Sequence, residues 1–284
     1  MSTGIGARWL IKDRELRVDM PLLIGILNVT PDSFSDGGQY VDPGQAVAHA
    51  ESMLAEGAVI IDVGGESTRP GSEPVSTDEE KSRVLSVIQT LANETHALIS
   101  IDTQKSAVAE AAISAGAHII NDISAGLADQ EMFKVVRDSG AGYIMMHMQG
   151  TPATMQRAPS YDNVIDEVET FLGQRLQAAL DDGIVSDRIV LDPGIGFGKT
   201  LENNLLLMGQ MKRLQDLGRP ILLGASRKSF IGMLDDSVVA QRLGGSLAAV
   251  LATYQQGIRI FRVHDVWETR QLIDIFTAIQ KHSD

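Results

Sequence analysis

Side chains able to do acid–base, anion-binding or hydrogen-bonding chemistry recur where short apolar runs end. The run 22–27 ends at Asn28, 98–101 at Asp102, 118–120 at Asn121 and Asp122, 189–191 at Asp192, and 258–261 at Arg262 and His264. Arg262 and His264 are two apart, so an extended strand puts them on one face. A guanidinium offers forked donors to phosphate oxygens and an imidazole adds another, which makes the pair a candidate anion site. The competing reading is a surface pair bridged to Asp265 or Glu268. Asp102 and Asp192 could serve as acid and base, bind a metal, or accept from the N–H groups of a ligand. Asp102 could instead cap the helix that follows it.

Asp192 opens the stretch Pro193-Gly194-Ile195-Gly196-Phe197-Gly198-Lys199. It lacks the GxxxxGK[ST] spacing, so a phosphate-loop reading is weak. Its glycines are read as letting backbone approach a flat ligand, with Phe197 as an apolar wall. Ser226-Arg227-Lys228-Ser229-Phe230 follows the next apolar run. Lys228 suits a charge partner for the aspartates; a Schiff-base nucleophile and a solvated surface lysine are the other roles. By alternation, Asn121 shares a face with Ile123, and Gly224 with Ser226. His147, His49 and His96 show no metal-ligand spacing and are read as structural or surface residues. Met145, Met146 and Met148 are read as filling core or pocket space.

Elements of two kinds must position these groups. Short β-like runs lie near 22–28, 59–64, 98–102, 118–123, 142–147, 189–193, 221–226 and 258–264. Helical patterns fill most of 43–56, 78–93, 105–115, 130–139, 162–182, 202–217, 238–256 and 266–281, several ending at a glycine suited to a C-cap. Eight strand–helix repeats require crossovers between parallel strands, and their length matches a (β/α)₈ TIM barrel, an α/β fold. An open doubly wound sheet is the alternative, but it would gather its ligand groups at one switch point. Residues 8–18 read as a short N-terminal β-hairpin covering the barrel bottom. No linker is visible, so 1–284 is read as a single domain, with residues 1–20 as its hairpin segment. The connections Val29 to Val41 and Gly65 to Thr77 are long enough to act as lids, and Ser226 to Ser237 carries the basic pair.

The totals narrow the function classes. The 284 residues carry a formal net charge of −13, which disfavours nonspecific nucleic-acid binding. No apolar run is long enough to span a bilayer, and no secretory signal is visible, so the expected location is cytoplasmic. The chain has no cysteine, which excludes disulfides and thiolate chemistry.

Taken in order, the motifs resemble a known family. The stretch 26–38 (with Asn28, Phe34 and Asp36), the stretch 64–71 (with Thr68, Arg69 and Pro70), 192–199, 226–230 and 262–266 resemble the signatures of dihydropteroate synthases. One departure is Val59, where the family usually has an aspartate; at a strand start, away from the rim, it should cost little. The resemblance implies that 6-hydroxymethyl-7,8-dihydropterin diphosphate is joined to 4-aminobenzoate with Mg²⁺, giving 7,8-dihydropteroate and pyrophosphate. It implies a pterin site of Asp102, Asn121, Ile123, Met146, Asp192, Phe197, Gly224 and Lys228. It further implies a pyrophosphate site of Asn28, Arg262 and His264, with Asn28 also a metal ligand. Phe34, Thr68, Pro70, Phe197, Lys228 and Ser229 would meet aminobenzoate, and Asp36 would order the first loop or stabilise a cation. Catalytic roles fall to Asp36, Asp102, Lys228, Arg262 and His264. Sulfonamides would compete as aminobenzoate mimics, and a homodimer through the later helices is expected. A pterin-binding methyltransferase barrel and an inactive pterin-binding paralogue are the alternatives.

Overall fold

The computed structural model describes residues 8–30, 43–69 and 71–282. An antiparallel hairpin, β1 (Arg8–Ile11) and β2 (Arg14–Arg17), precedes eight parallel strands. These are β3 (Leu22–Asn28), β4 (Ile60–Gly64), β5 (Leu98–Asp102), β6 (Ile119–Asp122), β7 (Gly142–Met146), β8 (Ile189–Asp192), β9 (Leu222–Leu223) and β10 (Ile260–Val263). Their order is β8-β7-β6-β5-β4-β3-β10-β9, and a parallel bridge between Leu191 and Ile221 joins the two ends. The sheet is therefore a (β/α)₈ barrel.

Helices α1 (Pro43–Glu56), α2 (Thr77–Glu94), α3 (Ser106–Ser114), α4 (Met132–Ser139), α5 (Val164–Asp181), α6 (Leu201–Gly209), α7 (Met211–Leu214), α8 (Ser229–Asp235), α9 (Leu243–Tyr254) and α10 (Val266–Lys281) surround it. The strands read as unbroken apolar runs because one face meets helices and the other the barrel interior. One inward residue from each of the eight strands, Ile24, Ile60, Leu98, Ile119, Ile144, Val190, Leu222 and Ile260, joins one cluster with Trp9 and Ile11 of the hairpin. Trp9 Nε1 donates to the Arg188 carbonyl at 2.8 Å, fastening the hairpin across the barrel's amino-terminal end. Val59 packs against this floor, far from the opposite rim.

Three expectations change. The helix expected over 238–256 begins only at Leu243, after a short 3₁₀ turn at Val239–Gln241. The 202–217 helix breaks at Gln210 into α6 and α7. The stretch 226–237, read as a loop, contains α8, because buried Phe230 and Ile231 hold that turn of chain against the barrel. Among the described residues, no helix is long and apolar enough to cross a membrane.

Candidate active site

Two residues beyond the apolar floor, the same inward face turns polar. Ile60 is followed by Asp62, Leu98 by Ser100 and Asp102, Ile119 by Asn121, Val190 by Asp192, and Ile260 by Arg262 and His264. Strand alternation thus delivers every one of these side chains into one mouth.

Arg262 occupies its centre. Its Nε donates to Asp62 Oδ2 at 2.6 Å and its Nη2 to Asp102 Oδ2 at 2.8 Å. Sequence reasoning placed Arg262 and Asp102 in separate sets and considered Asp265 or Glu268 as partners. The structure pairs Arg262 with the two inner carboxylates and gives Asp265 to Arg227. Of the basic pair 227–228, only Lys228 faces the pocket. Burial pushes the Asp102 carboxyl up to about 7; Arg262 opposes this, while the charges of Asp62, Glu80 and Asp122 add to it. Asp102 is no helix cap, since Lys105 holds the N-cap position of α3.

Asn121 Nδ2 donates to Asp62 Oδ2 at 3.0 Å. Asp192 Oδ1 accepts from Gly194 N at 2.7 Å, turning the chain sharply after β8. Burial raises the Asp192 carboxyl above its ordinary range, against the charge of Lys228 and the Gly194 N–H. A β-carbon built on Gly224 would lie 3.6 Å from Asp192 Oδ2 and 3.9 Å from Lys228 Nζ, so these three share one wall. Lys228 Nζ donates to the Ile195 carbonyl and sits 4.5 Å from the centre of the Phe197 ring. Burial pushes its ammonium down to about 8; Asp192 and Asp102 pull it up, and Arg262 pushes it down. Ile123 and Met146 are buried yet belong to neither apolar core cluster, as expected of pocket lining.

The glycine-rich stretch is a wall of this pocket. Lys199 turns inward, with Nζ 2.9 Å from both the Gly194 and Phe197 carbonyls and 2.8 Å from His147 Nδ1. Burial pushes Lys199 well below the ordinary lysine range, and its amino group staples the loop that carries Phe197, so it is not a phosphate-loop lysine. His147 is structural, as expected.

At the mouth, His264 Nδ1 lies 3.0 Å from Ser226 Oγ. Burial, together with Arg262, Arg227 and Arg69, pushes the imidazole down to about 4, against Asp265. Asn28 Oδ1 and Asp102 Oδ2 each lie 3.8 Å from the β-carbon position of Gly64, whose bare backbone keeps the space between them open. Thr68 is half-buried on the loop after β4, and Ser229 is exposed at the start of α8. That loop is clamped: Glu66 Oε1 accepts from Val75 N at 2.9 Å, and Lys105 Nζ reaches Glu66 at 3.0 Å and buried Glu80 at 2.6 Å. Phe34, Asp36 and Pro70 lie outside the described residues. Among those described, no three His, Asp or Glu side chains converge as a metal site.

Two site residues escaped sequence reasoning. Asp62 is a lone charge inside the run Ile60-Ile61-Asp62-Val63, which was a readable signal. Arg69, within the 64–71 motif, contributes charge at His264, and only the folded loop reveals that.

A family model described as "Pterin binding enzyme" matches residues 24–264. The Escherichia coli (strain K12) dihydropteroate synthase is 44% identical over 263 residues, covering 93% of each chain. The Yersinia pestis dihydropteroate synthase, solved in complex with a sulfonamide drug, superposes with a TM-score of 0.91 at 40% identity, covering 96% of this chain and 99% of that one. The Xanthomonas albilineans dihydropteroate synthase with 4-aminobenzoic acid gives a TM-score of 0.90 at 43% identity, covering 97% and 98%. With the inward layer of carboxylates, amide and cations already in place, these matches set the family: the chain belongs to the pterin-binding enzymes, among their dihydropteroate synthases.

Proposed function

We propose that the chain joins 6-hydroxymethyl-7,8-dihydropterin diphosphate to 4-aminobenzoate by a dissociative displacement. The observation that carries this reading is the lumen layer itself, where Asp102, Asp192, Asn121, Arg262 and Lys228 meet above the buried Asp62 in a largely enclosed mouth. A neutral heterocycle rich in N–H groups needs such acceptors once it leaves water. Asp192 accepts from the 2-amino group and N3–H, Asn121 serves the neighbouring edge, and Asp102 accepts from N8–H. Lys228 donates to the carbonyl and N5 edge. Ile123, Met146, Phe197 and the bare backbone of Gly224 enclose the ring.

Arg262 and His264 hold the diphosphate with Asn28, and Arg69 adds positive charge beside them. As the methylene C–O bond breaks, its electron pair leaves on pyrophosphate, and these groups stabilise the growing charge. The pterin spreads the resulting cation. The arylamine lone pair then forms the C–N bond, and its proton passes to water. Thr68, Ser229 and Phe197 shape the aminobenzoate site, together with Phe34 and Pro70, and Asp36 serves the first loop or the cation. A sulfonamide would occupy the same place.

Asn28 offers one hard oxygen beside the open space at Gly64, which suits a cation that takes most of its ligands from substrate phosphates and water. Mg²⁺, when bound there, would neutralise charge on the leaving group. The chain acts in the cytoplasm as a homodimer. Exposed Leu205 and Leu206 of α6, Met233 and Leu234 of α8, and Val238 and Val239 beyond it support an apolar contact between the later helices. The deciding assay supplies the purified protein with pterin diphosphate, 4-aminobenzoate and Mg²⁺. Dihydropteroate and pyrophosphate should form in equal amounts; formation of neither overturns the reading.

A further inference from the structure

We propose that Asp62 is a positioning residue for this reaction, its carboxylate orienting both Arg262 and Asn121 toward the substrate. One oxygen, Oδ2, accepts from Arg262 Nε at 2.6 Å and from Asn121 Nδ2 at 3.0 Å. In the barrel order β6-β5-β4-β3-β10, both partners stand two strands away from β4, on opposite sides. The bonds therefore cross the lumen and tie together side chains that no strand pairing connects.

Each bond settles an orientation. A flipped Asn121 amide would point its oxygen at a carboxylate, so the Nδ2 edge is held on Asp62 and the carbonyl oxygen is left for a ligand donor. Arg262 spends Nε on Asp62 and Nη2 on Asp102, which fixes the guanidinium plane. Asp62 itself lies one layer below the rim, since register pairs it with Ser100 while Gly64 pairs with Asp102. It therefore acts through its neighbours, without touching substrate.

Stability does not explain the residue. Asp62 is fully buried, and its Oδ1 has no partner among the described residues. A buried charge with an unsatisfied oxygen is costly, and a buried ion pair such as Asp62–Arg262 is weak evidence for net stabilisation.

The inference rests on the pterin-pocket reading, so its test carries a control. In Asp62→Asn, kcat/KM for pterin diphosphate should fall about 10- to 100-fold through misplaced partners, with KM for aminobenzoate little changed. A second readout separates positioning from structure. The charges that act on Asp102 are those of Arg262 on β10, Asp62 on β4, Glu80 on α2 and Asp122 on β6, and Lys228 responds to Asp102 in turn. Removing the Asp62 charge leaves Arg262 to Asp102 alone, so the acid limb of kcat/KM should move to lower pH. Wild-type kcat/KM, or an activity loss matched by a loss in Tm with the acid limb unmoved, overturns the proposal. Should Asp62→Asn not fold, Asp62→Glu keeps the charge but displaces it. It should lower kcat/KM for the pterin substrate with the limb in place, and wild-type kcat/KM there overturns the proposal equally. In the control, Asp192→Asn and Asn121→Ala should both weaken binding of the pterin substrate measured by calorimetry. If neither does, the pocket reading fails; if both do while the Asp62 variants behave as wild type, only the Asp62 role fails.

Discussion

Lys199 Nζ lies 2.8 Å from His147 Nδ1 in the wall behind Asp192, so two cation-forming side chains share a space closed to solvent. Burial, with Lys199 adding to it, pushes His147 down to about 2, and the imidazole is neutral in the fold. The unfolded chain therefore binds one more proton between pH of about 6.5 and about 2, and stability from this site rises with pH across that window. Compared with His147→Gln, the wild type should lose about 1.4 kcal/mol for each pH unit below about 6.5. Urea titrations at several pH values measure it; a gap independent of pH would refute the neutral assignment.

The mouth should also set the pH profile of activity. Asp102 must be a carboxylate to accept from N8–H, and it gains its proton below about 7. Lys228 is a charged donor only as an ammonium, and it loses that proton above about 8. A narrow bell in kcat/KM for pterin diphosphate is the expected result, its limbs belonging to the coupled cluster. Lys228→Arg should carry the alkaline limb out of range, because a guanidinium stays protonated. A limb that stays near 8 in that variant would assign it elsewhere.

Replacing Asp192 by Asn exchanges one carboxylate acceptor for a donor against the heterocycle's N–H groups. Hydrogen bonds to a charged partner contribute about 1.5–3 kcal/mol, so pterin affinity should fall roughly 10- to 150-fold. Calorimetry with a pterin checks this, and circular dichroism should show the fold retained.

Gly194 has φ of +68°, and a β-carbon there would overlap the His147 carbonyl oxygen. Because the obstacle is backbone, it cannot swing aside. Gly194→Ala should destabilise by about 3 kcal/mol or more, adding left-handed strain to the clash. An unchanged Tm would show that the loop re-forms elsewhere.

The apolar surface of α6, α8 and the segment beyond is expected to bury itself in a dimer. Light scattering at micromolar concentration should give twice the chain mass, and Leu206→Glu combined with Val238→Glu should give a monomer. A monomeric wild type would remove the dimer from the reading.

Most of the fold was legible because it repeats. Apolar runs ending in polar residues and alternating with 3.6-period segments identify the barrel, and the bounds of β3, β5, α1 and α10 matched expectation. The helix α8 was less legible, since Phe230 and Ile231 form no periodic stripe and are stabilised by what they pack against. Asp62 is less legible because it lies inside its strand, one layer below the polar strand ends.

What the sequence determined by itself was which residues face the lumen, because strand alternation is a local rule with period two. That set Asn28, Asp102, Asn121, Asp192, Arg262 and His264 in one mouth. Which of them meet was decided by barrel closure. The Arg262–Asp62 ion pair joins residues 200 positions apart, and the Arg262–Asp102 pair 160. The spacing of residues along the chain carries no trace of such pairings. They follow from strand order, and from the requirement that a largely shielded guanidinium find its counter-charges across the lumen.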